Sequence, residues 1–181
     1  KAINDQSVLE ILCMNLGHMN LSLRNIDSTI FYYQESVKYA LACNYLQYIS
    51  AAYHGLGEIN DLQGNLPQAR TYYNKAIEAA FGLKNNIAVG AAMVNMAKLL
   101  NKQGNKDSAY YFARQSIQIY QALNQDNPIV FAYRTMAEVF ESSHQYDSAY
   151  FYLSLASAVN DSLKITENSR QFQNLEFNEQ T

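Results

Sequence analysis

The segment LGEINDLQGNLPQARTYYNKA, residues 56–76, contains a complete connection between two helices. Gly64 can adopt the left-handed backbone conformation that commonly ends a helix. Pro67 lies near the first position of the next helix, where a missing backbone N–H removes no hydrogen bond. Apolar residues recur at helical spacing on both sides of this turn. The segment therefore predicts a hairpin of two helices.

The same pattern returns at a fixed spacing of 40 residues. Small and large residues keep the same register in each copy, as closely packed helix pairs require. Residues 40 positions apart are of the same kind. One such set is Ala69, Ala109 and Ala149, and an aromatic set is Tyr32, Tyr72, Phe112 and Tyr152. A third set pairs a large residue with a small one: Leu16-Gly17, Leu56-Gly57, Met96-Ala97 and Met136-Ala137. Self-similarity of this kind predicts a stack of repeated structural units.

The spacing divides the chain into four predicted repeats, at about 5–44, 45–84, 85–124 and 125–164, each with two helices. In the second repeat we expect the first helix to run from about Tyr45 to Gln63. The second helices of the other repeats are expected to begin at acidic and hydroxyl pairs, which can accept the free N–H groups of a helix start. These pairs are Asp27-Ser28, Asp107-Ser108 and Asp147-Ser148, and Pro128 similarly opens the fourth repeat.

The repeat pattern stops after Lys164, and residues 165–181 are mostly polar. Ile165, Phe172, Leu175 and Phe177 are enough to cover one face of a helix. We therefore expect a ninth helix that caps the last hairpin and then projects away from it. This helix is also a candidate dimer contact, as the start of a coiled coil.

Composition and charge argue against several classes of function. Charged residues make up only 16% of the chain, and the formal net charge is -3 with no block of Lys or Arg. Because nucleic-acid binding depends on clustered positive charge, we expect no nucleic-acid contact. No apolar run is long enough to span a bilayer, and the sequence begins at Lys1 rather than at a Met. We expect the chain to be a fragment of a longer protein, which would meet a membrane only through a segment outside the fragment.

The sequence carries no recognisable catalytic or metal-binding motif. His18 and His54 fall on the first helices of adjacent repeats, but two histidines alone are a weak ligand set. We therefore expect no enzyme activity, no metal and no cofactor. Cys13 and Cys43 would be offset by roughly 9 Å along the first hairpin, too far for a disulfide. Two free and mostly buried thiols are the prediction.

Tyrosine is unusually frequent, with 15 residues. Pairs such as Tyr72-Tyr73 lie on predicted second helices, which pack between layers. We expect about four in five tyrosines to pack in the core or between repeats. Tyr48, Tyr53 and Tyr133 lie on first helices and are better placed to contact a ligand.

The pattern Leu56-Gly57, Gly64-Asn65-Leu66, Ala69, Tyr73 and Ala76 resembles the tetratricopeptide repeat (TPR) family, and the similarity covers roughly residues 7–164. The period of 40 residues is longer than the usual ~34, which implies longer helices. The resemblance implies an all-α fold: a right-handed superhelix, or TPR-like solenoid, of four helical hairpins plus a C-terminal helix. It also implies a non-catalytic module that binds a protein or peptide.

In TPR proteins the first helices line a concave groove that holds the ligand. The resemblance implies the following groove residues in this chain: Asn15, His18, His54, Glu58, Asn95, Lys98, Phe131, Arg134 and Glu138. Asn side chains can donate and accept hydrogen bonds at once, which suits a peptide backbone. A clamp for a terminal carboxylate is not expected, because the few cations alternate with Glu138 and Glu141. The alternative is a solvated face that holds no ligand.

A narrower resemblance rests on DSAYYF at 107–112, DSAYFY at 147–152, NDSL at 160–163 and QNLE at 173–176. These stretches are similar to the TPR sensor regions of membrane-anchored histidine kinases and helix-turn-helix regulators of Bacteroidetes-type bacteria. The resemblance implies an extracytoplasmic, periplasmic sensory domain of an inner-membrane protein, acting in a two-component system or in transcription regulation. A peptide or protein in the groove would change the curvature of the repeats, and the C-terminal helix would transmit the change.

Two other functions fit the same residues. One is a structural scaffold that assembles a complex without signalling. The other is a cytoplasmic peptide-pheromone receptor. The gene sequence on both sides of the fragment distinguishes the three functions. A transmembrane helix followed by an output domain favours the sensory domain, and a stop codon after Thr181 favours the scaffold. An upstream helix-turn-helix favours the pheromone receptor.

Overall fold

A computed structural model describes the backbone of residues 5–44, 46 and 48–179, and the side chains of these residues except 5, 6, 43 and 172–179. This part of the chain contains eight helices and no strand. The helices are α1 (Asp5–Ser22), α2 (Ile26–Cys43), α3 (Ile49–Leu62), α4 (Leu66–Gly82), α5 (Asn86–Lys102), α6 (Lys106–Ala122), α7 (Asp126–Ser142) and α8 (Tyr146–Glu179). The predicted all-α fold is confirmed. The first helix of the second repeat begins later than expected, at Ile49.

Successive helices are separated by turns that recur every 20 residues. Each turn contains one residue with a left-handed backbone: Arg24, Asn44, Gly64, Lys84, Gly104, Asn124 and His144. At six of them the amide of the following residue then donates to a carbonyl five residues back, as Asn65 N does to Asn60 O at 2.8 Å. This bond satisfies a carbonyl that the helix end would leave free. The turn predicted at Gly64 is thus a general feature of the chain.

The start of each second helix differs from the prediction by one or two residues. Asn25, Asn65 and Asn105 are the capping residues, and the Asn25 side chain accepts a hydrogen bond from the amide of Ser28. Asp27 and Asp107 lie inside the first turn, where a carboxylate is favoured by the helix dipole. The sequence hides this role, because each Asn directly follows the left-handed turn residue and so also fits a turn.

The chain divides into two compact units, Lys1–Leu99 and Leu100–Thr181. In the first unit α1 packs against α2, α2 against α3, and α3 against α4. The buried cluster at this contact contains Met14, Tyr33, Ala52, Leu56 and Ile59, which come from three different helices. In this unit the first hairpin, α1 with α2, therefore packs against the second, α3 with α4, as the repeat pattern predicts.

In the second unit α7 packs against both α6 and α8. Small and large residues alternate at this contact: Ala113 and Ala132 are fully buried beside Tyr120 and Met136. Such interdigitation lets helices approach closely without leaving cavities. None of the helices in the described part of the chain has the length and apolar character needed to cross a membrane.

The expected separate ninth helix is wrong. Residues 165–179 continue α8, which runs for 34 residues from Tyr146 to Glu179 without a break. The physical reason is that residues 165–179 contain no Gly or Pro to interrupt the helix, and none of them has the left-handed backbone that His144 has in the turn after α7. Ile165 is exposed, and the side chains of Phe172, Leu175 and Phe177 lie outside the described residues.

The expected burial of tyrosine is also corrected. Tyr33, Tyr73 and Tyr120 are fully or almost fully buried, but Tyr110, Tyr111, Tyr146 and Tyr150 are exposed. Tyr133, which was expected to face a ligand, is buried as well. Cys13 is a free and buried thiol, as predicted, whereas the side chain of Cys43 lies outside the described residues.

The left-handed turns lead to a stability prediction. Lys84 has φ of 54°, a conformation that is strained by about 1–2 kcal/mol for a residue with a side chain. We expect Lys84→Gly to stabilise the protein by about 0.5–1 kcal/mol, because the relief of strain outweighs the backbone entropy of Gly. Gly64→Ala, at φ of 76°, should destabilise it by a similar amount. Urea unfolding of both variants checks this, and stabilisation by Gly64→Ala would contradict it.

Candidate ligand-binding face

The polar residues predicted to line a groove lie on the first helices of the repeats. In the first unit His18 is on α1, His54 and Glu58 are on α3, and Asn95 and Lys98 are on α5. Because positions three or four residues apart share one side of a helix, α3 and α5 each present these side chains together. We refer to the surface formed by His18, His54, Glu58 and Asn95 as the polar face.

Three of these residues meet in one hydrogen-bonded group. The amide nitrogen of Asn95 lies 2.8 Å from Nε2 of His54 and 3.3 Å from Oε1 of Glu58. Nδ1 of His54 is in turn 4.0 Å from Oε2 of Glu58. These side chains come from two successive repeats, so the structure brings together residues that are about 40 positions apart in the sequence.

The hydrogen bond from Asn95 fixes the charge state of His54. An amide nitrogen can only donate, so Nε2 of His54 must accept, and the ring is neutral with its proton on Nδ1. Burial lowers the pKa of His54, and His18 lowers it further, while the Glu58 carboxylate acts in the opposite direction. The polar face therefore holds a neutral imidazole whose N–H points toward a carboxylate.

A buried tyrosine completes the polar face and was not among the predicted site residues. The Tyr33 hydroxyl lies 3.0 Å from Nδ1 of His18, although the tyrosine itself is fully buried. Burial, with a smaller contribution from Glu58, raises the pKa of Tyr33 to about 12, so the hydroxyl keeps its proton. The column of small residues at Gly17 and Gly57 indicates a large aromatic neighbour, but not that a tyrosine hydroxyl reaches this face.

An open cavity of about 240 Å³ adjoins the polar face in the first unit. It is lined by Leu21, Glu58, Asp61, Leu62, Tyr73 and Asn95. Burial raises the pKa of Tyr73, and the Asp61 and Glu58 carboxylates raise it further, so this hydroxyl also stays protonated. Leu62, near the end of α3, is exposed at the cavity. The cavity thus combines carboxylates with apolar walls.

The other predicted site residues are placed as follows. Asn15 is exposed on α1, and Lys98 is half-buried on α5. Phe131, Arg134 and Glu138 lie on α7 in the second unit, at spacings of three and four residues, and all three are exposed. Because this spacing puts them on one side of α7, they form a second surface with an aromatic ring and both charge signs. That these residues bind a ligand stays a prediction.

In the described part of the chain, no group of three or more His, Cys, Asp or Glu side chains is arranged to hold a metal ion. His18 and His54 instead find partners in Tyr33 and Asn95.

The protonation of His54 on the polar face can be measured. Because the folded-state pKa of His54 is depressed, its protonation opposes folding, and stability should fall as the pH drops below 6.5 through that pKa. Glu58→Gln removes the charge that raises this pKa and should lower it further. NMR titration of the His54 ring in both proteins, with His144 as an exposed reference, is the measurement. A higher His54 pKa in Glu58→Gln would contradict the geometry.

Comparison with known proteins concerns the fold. Residues 50–82 match the family model described as Tetratricopeptide repeat. Curated proteins give no match to the sequence.

Solved structures resemble most of the chain. BtubC (BKLC) from P. vanneervenii has a TM-score of 0.79 at 15% identity, covering 91% of this chain and 68% of BtubC. A putative kinesin light chain from Podosopora anserina, with nearly identical TPR-like repeats, has a TM-score of 0.69 at 12% identity, covering 90% and 80%. MamA has a TM-score of 0.64 at 17% identity, covering 86% and 80%. At such low identity these likenesses concern the fold alone.

The helical hairpins, their turns and the match at residues 50–82 lead to the same assignment. The chain has the fold of TPR-like repeat proteins and contains a tetratricopeptide repeat at residues 50–82.

Proposed function

We propose that this chain is a non-catalytic module that binds a peptide or an extended protein segment along its first helices. Tetratricopeptide repeats are generally protein-interaction modules. The observation that carries the proposal is the convergence of His54, Glu58 and Asn95 beside an open cavity. Each residue of a peptide backbone offers one N–H and one C=O, and this group offers both acceptors and donors to them.

The cavity favours one kind of ligand side chain. Glu58 and Asp61 place carboxylates beside the exposed side chain of Leu62. Lys and Arg bury an apolar stem along such walls while the cationic head pairs with a carboxylate. The ligand is therefore a peptide with at least one basic residue that enters the cavity.

The experiment uses peptides selected against the chain from a displayed random library, with affinity measured by fluorescence polarisation. We expect Asn95→Ala and His54→Ala to weaken binding about tenfold, the effect of losing one or two hydrogen bonds. Asp61→Asn should weaken binding of basic peptides and spare binding of variants in which the basic residue is replaced.

Glu78→Ala is the matched control, because Glu78 is exposed on α4 outside the cavity lining. Its affinity should equal that of the parent chain. Selected peptides whose binding is unchanged by both Asn95→Ala and His54→Ala would refute binding at the polar face. If the selected peptides show no preference for basic residues, the basic side chain of the ligand is refuted, but binding at the polar face is not.

We also propose that this binding serves signalling, as the extracytoplasmic sensory domain of a membrane-anchored bacterial regulator. Support comes from the resemblance of residues 107–112 and 147–152 to sensor regions of that kind. The gene sequence on both sides of residues 1–181 tests the proposal. A leader before residue 1 and a transmembrane helix with an output domain after residue 181 are expected; their joint absence from the gene would refute it.

The proposed mechanism is a shift between two packings of neighbouring hairpins. Repeats that contact only their neighbours can change their packing at a small cost per interface. A ligand that prefers one packing then shifts the population, and α8 carries the change to the residues beyond it. Deleting residues 165–181 from the intact protein should abolish the ligand response and leave peptide binding intact. A preserved response would refute transmission through α8.

A further inference from the structure

An open cavity of about 320 Å³ in the second unit lies between α6, α7 and α8. Its volume is at the lower end of the range of ~300–1,000 Å³ that small-molecule sites occupy. None of its lining residues is part of the polar face, and the proposed function gives the cavity no role. We call it the α6–α8 cavity, and its lining includes Arg114 and Gln121 of α6, Tyr133 of α7, and Phe151, Tyr152 and Leu155 of α8.

This side of the second helices is open in other repeats as well. Phe31 of α2 and Tyr111 of α6 lie 120 and 40 positions before Phe151, and both are 56% exposed. A further helix packs against the second helix in each case, α3 against α2 and α7 against α6. The opening of the α6–α8 cavity at Phe151 therefore does not depend on where the sequence ends.

Two tyrosines of the cavity form a ring pair that the second repeat also has. The rings of Tyr133 and Tyr152 lie 6.1 Å apart, and those of the pair 80 positions earlier, Tyr53 and Tyr72, lie 6.3 Å apart. In the second repeat the ammonium group of Lys75 lies over both rings, 5.5 and 5.8 Å from their centroids. The same position of α8 holds Leu155, which is shorter and uncharged. The fourth repeat therefore leaves its ring pair beside an open cavity.

The charge at the cavity favours an anion. Among the described residues that line it, Arg114 alone carries a charge. Its guanidinium group is exposed and forms no hydrogen bond or ion pair within the described part of the chain. Burial raises the pKa of Tyr152, whereas the nearby charge of Arg114 lowers it. A guanidinium group pairs with a carboxylate through two parallel hydrogen bonds, so a carboxylate is the anion that suits it best.

The hydroxyl of Tyr133 supplies a second donor. The side-chain nitrogen of Gln121 donates a hydrogen bond to this hydroxyl at 3.2 Å. Because the oxygen acts as the acceptor in that bond, the proton of Tyr133 is available for an acceptor on a ligand. The cavity thus offers hydrogen-bond donors to an anion, and its aromatic side chains and Leu155 offer apolar walls.

We propose that the α6–α8 cavity binds a small free carboxylic acid with an aromatic body. The carboxylate pairs with Arg114 and accepts the proton of Tyr133, and the aromatic ring packs against Phe151 and Tyr152. Aromatic rings gain from edge-to-face or offset packing in addition to the area that they bury. This site is independent of peptide binding at the polar face.

The test uses phenylacetate as the probe and follows the backbone amide signals of the 181-residue chain by NMR. We expect a Kd near 1 mM, which is typical of a ligand with about ten non-hydrogen atoms. The shifted signals should belong to residues that line the cavity. Phenylacetamide has the same shape without the charge, and acetate has the charge without the ring. Each should bind at least about tenfold more weakly than phenylacetate.

Two variants identify the groups that hold the carboxylate. Arg114→Gln should weaken phenylacetate binding about tenfold, because it removes a charge-assisted pair. Tyr133→Phe should weaken it about fivefold through the loss of one hydrogen bond. Arg70→Gln is the matched control, because Arg70 is an exposed arginine of α4 that does not line the cavity. Its affinity should equal that of the parent chain, and circular dichroism should show all four proteins equally helical.

Three results would overturn the proposal. The first is the absence of shifts at the cavity up to about 20 mM phenylacetate, well above the expected Kd. The second is an affinity that Arg114→Gln leaves unchanged, or that phenylacetamide matches. The third concerns the source of the acid: a short peptide that ends in phenylalanine should bind no more tightly than phenylacetate. Much tighter binding of that peptide would assign the cavity to a protein terminus instead of a free acid.

Discussion

Glu10→Gln is expected to stabilise the protein by about 1–3 kcal/mol near pH 8. Glu10 is fully buried on α1, and neither of its carboxylate oxygens has a hydrogen-bond partner in the described part of the chain. An ionised carboxylate in such a place is strongly disfavoured. Glutamine keeps the shape of the side chain and removes the charge.

The pH dependence follows from the same burial. Desolvation raises the pKa of Glu10 from 4.5 to about 7. The backbone amide of Tyr48 lies close enough to oppose this rise, but it does not form a hydrogen bond of good geometry with the carboxylate. Because the folded state holds this proton more tightly than the unfolded chain, stability should fall as pH rises from 4.5 through about 7. Glu10→Gln should lack this loss, so its advantage should vanish near pH 4.

Urea unfolding at several pH values measures both effects. Glu78→Gln is the control, because Glu78 is exposed on α4, and its stability should follow that of the parent chain. The neighbourhood of Glu10 also contains Cys13, Glu35 and Lys38, whose charges influence one another. A parent chain whose stability rises between pH 5 and pH 8 relative to Glu10→Gln would show that Glu10 has a partner when folded.

Gly55→Ala is expected to destabilise the protein by about 1–3 kcal/mol, the usual effect of overpacking a core. A methyl group on Gly55 would overlap the ring of Tyr33, with Cζ only 2.7 Å away. Tyr33 cannot simply retreat, because a methyl group on Gly17, on the other side, would lie 2.5 Å from Cδ1 of the same ring. The ring of Tyr33 therefore sits between two glycines of successive first helices.

A matched substitution separates this clash from the general properties of glycine. Gly82 is the last residue of α4, and a methyl group there has no neighbour within 4 Å. Gly82→Ala should be neutral or slightly stabilising, since alanine favours helix more than glycine does. In a Tyr33→Leu background the effect of Gly55→Ala should shrink, and chemical unfolding of the double-mutant cycle measures this. Equal effects in both backgrounds would place the cause elsewhere.

The helices were predictable because their signals are local. Gly64 and Pro67 mark a turn by their backbone restrictions alone, and the 40-residue spacing transfers that turn to the other repeats. The left-handed turns at Arg24, Lys84 and His144 carry no such signal in their residue types, and only the register identifies them. The length of α8 was missed because the end of a pattern was taken for the end of a helix.

The candidate site was predictable only in part. Helical spacing places His54 and Glu58 on one side of α3, and the repeat places Asn95 beside them. Tyr33 and Tyr73 were predicted as packing residues, which they are, but their hydroxyls also reach the polar face and the cavity. A buried tyrosine can fill the core with its ring and bond a polar site with its hydroxyl, and only the structure reveals the direction of that group.

The unbroken length of α8 gives the last hairpin a mechanical property. Its partner helix α7 has 17 residues and α8 has 34, so about 17 residues, or roughly 25 Å at 1.5 Å per residue, extend past the hairpin. A stiff rod of this length amplifies motion: a tilt of about 10° at its base would move its tip by roughly 4 Å. Any rearrangement of the hairpin would thus arrive, enlarged, at the far end of the helix.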